Sequence, residues 1–517
     1  MGEIVKILSL IIAAWNVIPS QRRRFARLFF TKKHLVIAIV SILFFFYLFA
    51  FDWLIYWFSS LQIFTSSYGI PAEQIAYFVL LMLILLGFLQ ILLGFFPRKN
   101  LEQTISFYRQ LLYNNEYQLL IDNIRKYHLN DIKKYLVSKK ELEWDFFKII
   151  EKPETPNDSK YESVREQFAK NVFHQIIASP SFANGATKQD PYLIAEIFDA
   201  DISIGYSEIL NEYTKALYDS KNDAFISELK HVDGVLEPIS ETLNSYNLQI
   251  LRMLFKSISF AEKNKIWYSI GRSMSRSLKY DKEQSKWLNE AYDPTLISDE
   301  HIQWESKVYP GIIFFNTMIR EAIYQNGQYH MWLFFMDRAV EGIVKQFELN
   351  SSIDYSREFP TFGHNLIYEI LDNMYDWLEL SVSEGNVDFI NSIITCISKC
   401  IFIIATSNEQ TTPYETFKKD RMGSFFRHYF EFEQKTRFVS DSESETNEKS
   451  VAQKIVDEMA KSLNPRTWTY SGNLTFFKET IIDSWEDFDK IPYDDRIEGK
   501  RLSDLFEINI ITPIRTH

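Results

Sequence analysis

Two long apolar runs dominate the pattern of hydrophobic and polar positions along this chain. The first, Leu35 to Phe58, is built almost wholly of Leu, Ile, Val, Phe, Tyr and Trp, with one acid, Asp52, near its end. The second, Ile75 to Phe96, carries no charge, and Gln90 is its only strongly polar residue. Each run exceeds the roughly 20 residues needed to cross a bilayer core, which predicts a transmembrane hairpin over 34–97. Arg22, Arg23, Arg24, Arg27, Lys32 and Lys33 precede the first run, and Arg98 and Lys99 follow the second. The loop between them, Ser59 to Gln74, has neither Lys nor Arg. Short basic flanks stay inside, so both termini are expected in the cytoplasm and the loop outside.

The polar positions within these runs fall into a pattern of their own. Ala76, Leu80, Leu83, Gly87, Gln90 and Gly94 project onto one face of the second predicted helix. Glycines there let backbones approach, and a glutamine bonds across helices in lipid. The seam suits packing within the hairpin and equally an oligomer or pore lining. Asp52 sits at the outer boundary, where it either reaches water or belongs to a ring at a pore mouth. Ahead of the hairpin, residues 1–33 read as an interfacial amphipathic helix with a basic flank. Arg22, Arg23, Arg24 and Arg27 would lie on anionic headgroups of the inner leaflet.

From residue 98 the period becomes that of amphipathic helices. Helices are expected over Leu101–Asn114, Glu116–Tyr127, Asp131–Lys139, Val164–Ile177, Ile202–Tyr218 and Ile239–Phe260. Further ones are expected over Gly311–Tyr324, Met331–Phe347, Leu366–Val382 and Val387–Ala405. Proline and small polar residues mark breaks at Lys152–Lys160, Ser179–Pro191 and Asn350–Gly363. The expected fold is mainly α: the hairpin, then a large cytoplasmic α-helical domain over 98–438. An acidic low-complexity linker (439–450, VSDSESETNEKS from Val439) and a C-terminal segment (451–517) follow, the latter with a short strand near Leu505–Ile514.

Charge and chemistry narrow the function. The net charge of −12 argues against wholesale nucleic-acid binding while leaving room for one basic site. The two cysteines, Cys396 and Cys400, stand at i, i+4 in an apolar run, with no neighbouring His or second Cys pair to complete a metal site, and read as core residues. Phosphate-loop, zinc-protease, nucleophile-elbow and kinase motifs are all missing. An E-x-K at Glu433 and Lys435 lacks a matching upstream acid on a strand. No enzyme, cofactor or metal is expected.

One stretch departs from the acidic background. Lys256 to Lys286 holds eight Lys and Arg against three acids, Glu262, Asp281 and Glu283. Arg272, Arg276 and Lys279 recur at i, i+4, i+7, which places three cations on one helix face. Lys265 and Tyr280 flank them. Ser273, Ser275 and Ser277 offer hydroxyls, and Trp267, Tyr268 and Tyr280 offer rings. Phosphate contacts plus stacking suit a nucleotide or a short single strand. The alternative is a solvated face neutralised by acids of neighbouring helices.

The layout resembles that of membrane effectors in bacterial anti-phage defence, the Hailong-type channel effectors in particular. The resemblance covers the hairpin, its basic flank and the helical body, matches no residue motif and transfers no site residue. It implies an inner-membrane homo-oligomer in which a cytoplasmic sensor answers a nucleotide or oligonucleotide signal from a partner protein. The membrane part would form or gate a pore. A membrane-anchored sensor or scaffold without conduction is the alternative, and a membrane-tethered enzyme fits less well.

Overall fold

The computed structural model describes residues 101–137, 164–199, 207–235, 248–293, 301–327, 332–386 (save 349, 351, 356 and 358), 389–406 and 412–438. To these it adds short pieces within 451–461 and 481–483 and three isolated positions, 9, 40 and 43. Apart from positions 40 and 43, the apolar runs lie outside the described residues, as do the seam Ala76, Leu80, Leu83, Gly87, Gln90 and Gly94, Asp52, and the arginines Arg22, Arg23, Arg24 and Arg27. So do the acidic linker and the expected C-terminal strand. Among the described residues no helix is long and apolar enough to cross a membrane. The fold is mainly α: the regular elements described are all helical, apart from one isolated antiparallel bridge between Ala291 and Thr361.

Two compact units divide the chain, Met1–Leu193 and Ile194–His517. In the first, α1 (Leu101–Tyr113) packs on α2 (Tyr117–Tyr127), and a further helix, α3, occupies 129–137. Helix α4 (Val164–Val172) runs on as a π turn, Phe173–Ile177. The break expected at Ser179–Pro191 is instead a helix, α5 (Pro180–Gln189). Its proline sits at N1, where no N–H is needed, and the Ser179 hydroxyl accepts from Phe182 N at 3.2 Å. The residues that resembled a break are a helix start. Gly185, inside α5, packs against the Tyr117 ring, and a Cβ there would fall 2.0 Å from that ring.

The second unit is a row of helices on a backing layer. The row runs α6 (Ser207–Asp219), α10 (Ile266–Tyr280), α13 (Leu333–Val344) and α15 (Ile390–Thr406), each packed on the next. Helices α12 (Tyr309–Tyr324) and α14 (Phe362–Ser383) lie behind it. The difference is written in the residues. Nearly every position of α12 is buried, as an apolar helix in a core requires, whereas α10 keeps one polar face. Phe314, Phe315, Trp332 and Trp377 are fully enclosed, each burial contributing about 1.5–3 kcal/mol. The Trp377 indole N–H donates to Asn316 Oδ1 at 2.8 Å, so burial leaves that polar atom satisfied. Cys396 and Cys400 are buried on α15, and the Cys396 thiol donates to Leu333 O. Burial pushes the Cys400 thiol well above its ordinary range.

The unit also holds the shorter helices α7 (Asp223–Val232), α8 (Gln249–Phe255), α9 (Ile258–Asn264) and α11 (Lys282–Leu288), and the long α16 (Thr412–Phe438). Of the helix expected over Ile239–Phe260, residues 239–247 lie outside the described residues, and α8 covers only Gln249–Phe255 of the rest. Ser257 breaks it by turning extended and capping α9 through Phe260 N. Helix α8 begins at Gln249, and the preceding Leu248 has no side chain that can cap it. Glu228 of α7 takes that role from outside, accepting from Ile250 N at 3.0 Å and Leu251 N at 2.9 Å.

A candidate anion-binding face

Helix α10 opens at Lys265, which adopts the left-handed conformation (φ 50) that ends α9 and starts the next helix. From there every inward position is apolar or small. Ile266, Ile270, Met274 and Leu278 are buried, and Ser269 reaches across to α6, its hydroxyl donating to Asn211 Oδ1 at 3.1 Å. Gly271 has no room for a side chain, since a Cβ would meet the Phe335 ring of α13 at 2.4 Å.

The outward face of the same helix is cationic and aromatic. Lys265, Tyr268, Arg272, Arg276 and Lys279 are exposed, at steps of three and four residues. At 1.5 Å per residue that stripe is about 21 Å long. The Arg272 guanidinium lies over the Tyr268 ring, 5.4 Å from its centroid, and Lys279 Nζ lies 5.1 Å from that of Tyr280. Such stacking holds the cations without discharging them. Tyr280 is 70% exposed, an open ring at the end of the stripe.

Among the described residues no carboxylate comes within ion-pair distance of Lys265, Arg272, Arg276 or Lys279. Asp281, the nearest acid in sequence, is committed elsewhere. It accepts from Glu283 N and Gln284 N as the cap of α11, and Lys307 Nζ sits 2.5 Å from its Oδ2. The hydrogen bond from Lys307 holds its carboxyl below the usual carboxylate range. Beyond Tyr280 the stripe runs into a groove of about 1030 Å³ of mixed charge, lined by the cations Lys279, Lys282 and Lys286 and by the acids Asp281, Glu290 and Glu348 among others. Asn289 fixes its wall, donating to Gln346 O at 2.7 Å and accepting from Glu348 N at 2.9 Å.

Arg272, Arg276, Lys279, Lys265 and Tyr280 thus share one exposed surface. Trp267 and Ser273 do not belong to it. They are 5% and 4% exposed, because positions 267, 270, 271, 274 and 278 form the inner stripe and 273 lies beside it. The Ser275 hydroxyl is spent on Gly271 O at 2.8 Å. A helix is expected over Met331–Phe347, and α13 lies there, but the sequence assigned its outer face no role, although Phe334 and Arg338 repeat the ring-x-x-x-arginine spacing of Tyr268 and Arg272.

The face has donors, charge and flat rings, which together suit phosphate oxygens and an attached planar group. Among the described residues no cluster of three or more His, Cys, Asp or Glu is arranged to hold a metal ion. No protein-family model matches the chain, and no curated protein or solved structure is similar enough to count as a relative.

Proposed function

We propose that the chain is an oligomeric inner-membrane effector, its N-terminal hairpin forming or gating a pore under control of the helical body. In this reading the body takes up a phosphate-bearing signal, a nucleotide or short oligonucleotide made by a partner protein, on the outer face of α10. The observation that carries the reading is the stripe Lys265, Arg272, Arg276 and Lys279, unpaired with acids among the described residues of a chain whose net charge is −12. Support for the membrane half comes from the two apolar runs and their basic flanks. A role in anti-phage defence follows from the resemblance in layout. A signal that prefers one conformation of the body shifts the pore toward that conformation, so ligand and flux are coupled by differential affinity.

The test is ion flux from liposomes that contain the full chain, with and without nucleotides and short oligonucleotides. Flux that changes with ligand, and that falls in Gly87→Leu together with the oligomer fraction, is the expected result. Substituting leucine keeps the span apolar while holding helices apart. Liposomes that stay sealed under every condition would leave the hairpin as an anchor only and overturn the pore.

A further inference from the structure

The anion face does not stop at α10. Helices α10 and α13 lie side by side and run parallel: Gly271 meets Phe335, and seven residues on, Leu278 meets Gly342. Around α10, the direction of α13 is set by Gly271 and Leu278, and the exposed residues 268, 272, 276 and 279 lie about 100° away at 100° per residue. Around α13, the direction of α10 is set by Phe335 and Gly342. Its outward residues Phe334, Arg338 and Lys345 lie about 70° away in the opposite rotational sense. For parallel neighbours, opposite senses mean the same side. The two outward faces are therefore one surface.

On that surface the two helices present the same device. Arg272 lies over Tyr268 at 5.4 Å, and Arg338 lies over Phe334 at 4.9 Å. Phe334 is 38% exposed, a large apolar ring left open to water. Lys399 of α15 extends the row, 5.7 Å from the same ring, though it is paired with Asp337. Among the described residues one acid of α13 faces the patch: Glu341, held between Arg338 at 2.9 Å and Lys345 at 2.6 Å. Both cations draw its carboxyl down, the Lys345 hydrogen bond most, so it stays charged and competes with any anion for Arg338.

We infer that the anion-binding face is built from both helices, with Phe334 and Arg338 as its second ring–guanidinium pair, and that its ligand carries two or more phosphates in two rows. Packed helix axes lie about 8–10 Å apart, so the rows are spaced by about that distance. A single phosphate engages one helix; a polyanion of that width engages both. The inference rests on the phosphate reading of α10 proposed above, and it adds the ligand's breadth and two residues.

The experiment uses the full chain in detergent and two probes, a nucleoside monophosphate and a fluorescently labelled short oligonucleotide. Wild type should bind the longer probe at least tenfold more tightly. Arg338→Glu should weaken that binding about tenfold or more, the scale of losing a hydrogen bond to a charged group. The slope of log K against log salt should also fall by about 0.7 for each phosphate no longer held, which a merely structural role would not produce. Glu341→Gln should tighten binding by releasing Arg338. If Arg276→Glu weakens binding while Arg338→Glu and Glu341→Gln leave it unchanged, the site ends at α10 and the two-helix face is wrong. Equal affinity for both probes would also overturn it. If Arg276→Glu has no effect either, the phosphate reading itself fails.

Discussion

Gly271→Val should destabilise the helical body by about 2–3 kcal/mol, the scale of overpacking a filled core. A Cβ at this position would lie 2.4 Å from Cδ1 of Phe335. Phe335 has little room to yield, because it stacks on Phe315 at 5.6 Å and tilts against Trp267 at 5.9 Å. Better helix propensity returns only part of this, less than about 1 kcal/mol. The loss should appear as a lower melting temperature by scanning fluorimetry. Combining Gly271→Val with Phe335→Leu should cost less than the two single changes added together, the mark of residues that touch. The substitution also pries apart the two helices that carry the cationic surface, so ligand binding should weaken with it. Unchanged melting in Gly271→Val would mean that α10 and α13 do not meet in this way.

A second large effect concerns pH. Glu228 is 4% exposed, and burial pushes its carboxyl up to about 7, against the pull of the N–H groups of α8 that favour its charged form. Glu369 on α14 is pushed up to about 7 as well, mainly by burial and further by Asp233, although Asn365 and Gln303 donate to it at 2.8 and 2.9 Å. In both, the folded value lies above the unfolded one. The folded state therefore binds protons that the unfolded chain has released, and stability falls as pH rises. The contribution is complete below about pH 4.5 and is lost as pH climbs through about 7, an upper bound of about 3 kcal/mol for Glu228. Glu228→Gln copies the protonated form. Its melting temperature should exceed wild type at pH 8 and match it at pH 4. A constant gap across that range would show that Glu228 does not titrate there.

Much of the helical architecture was legible in the hydropathy period. The expected helices Gly311–Tyr324, Leu366–Val382 and Val387–Ala405 correspond to α12, α14 and α15 within a few residues. Where the expectation failed, a local signal had two meanings. Ser179 and Pro180 are as good a cap and first turn as they are a break, and only the packing of Gly185 on Tyr117 decides. The cationic stripe of α10 was readable because three cations at i, i+4, i+7 need no tertiary information. Which rings and hydroxyls accompany it was not, because Trp267 and Tyr268 are neighbours in sequence on opposite sides of the buried boundary. The partnership of α10 with α13 joins residues some sixty positions apart and shows only in the close approaches at Gly271 and Gly342.

The most direct test of a phosphate-binding face is binding by the full chain carrying Arg272→Glu and Arg276→Glu together. Both side chains are exposed and form no ion pair among the described residues, so the melting temperature should not move. Titrated with a labelled short oligonucleotide, wild type should bind saturably, with affinity falling as salt rises. The double variant should lose about a hundredfold or more, two charge-assisted hydrogen bonds of about 1.5–3 kcal/mol each. Equal binding by the two proteins, or no binding by either to any nucleotide, would contradict that role and reduce the face of α10 to an ordinary solvated surface.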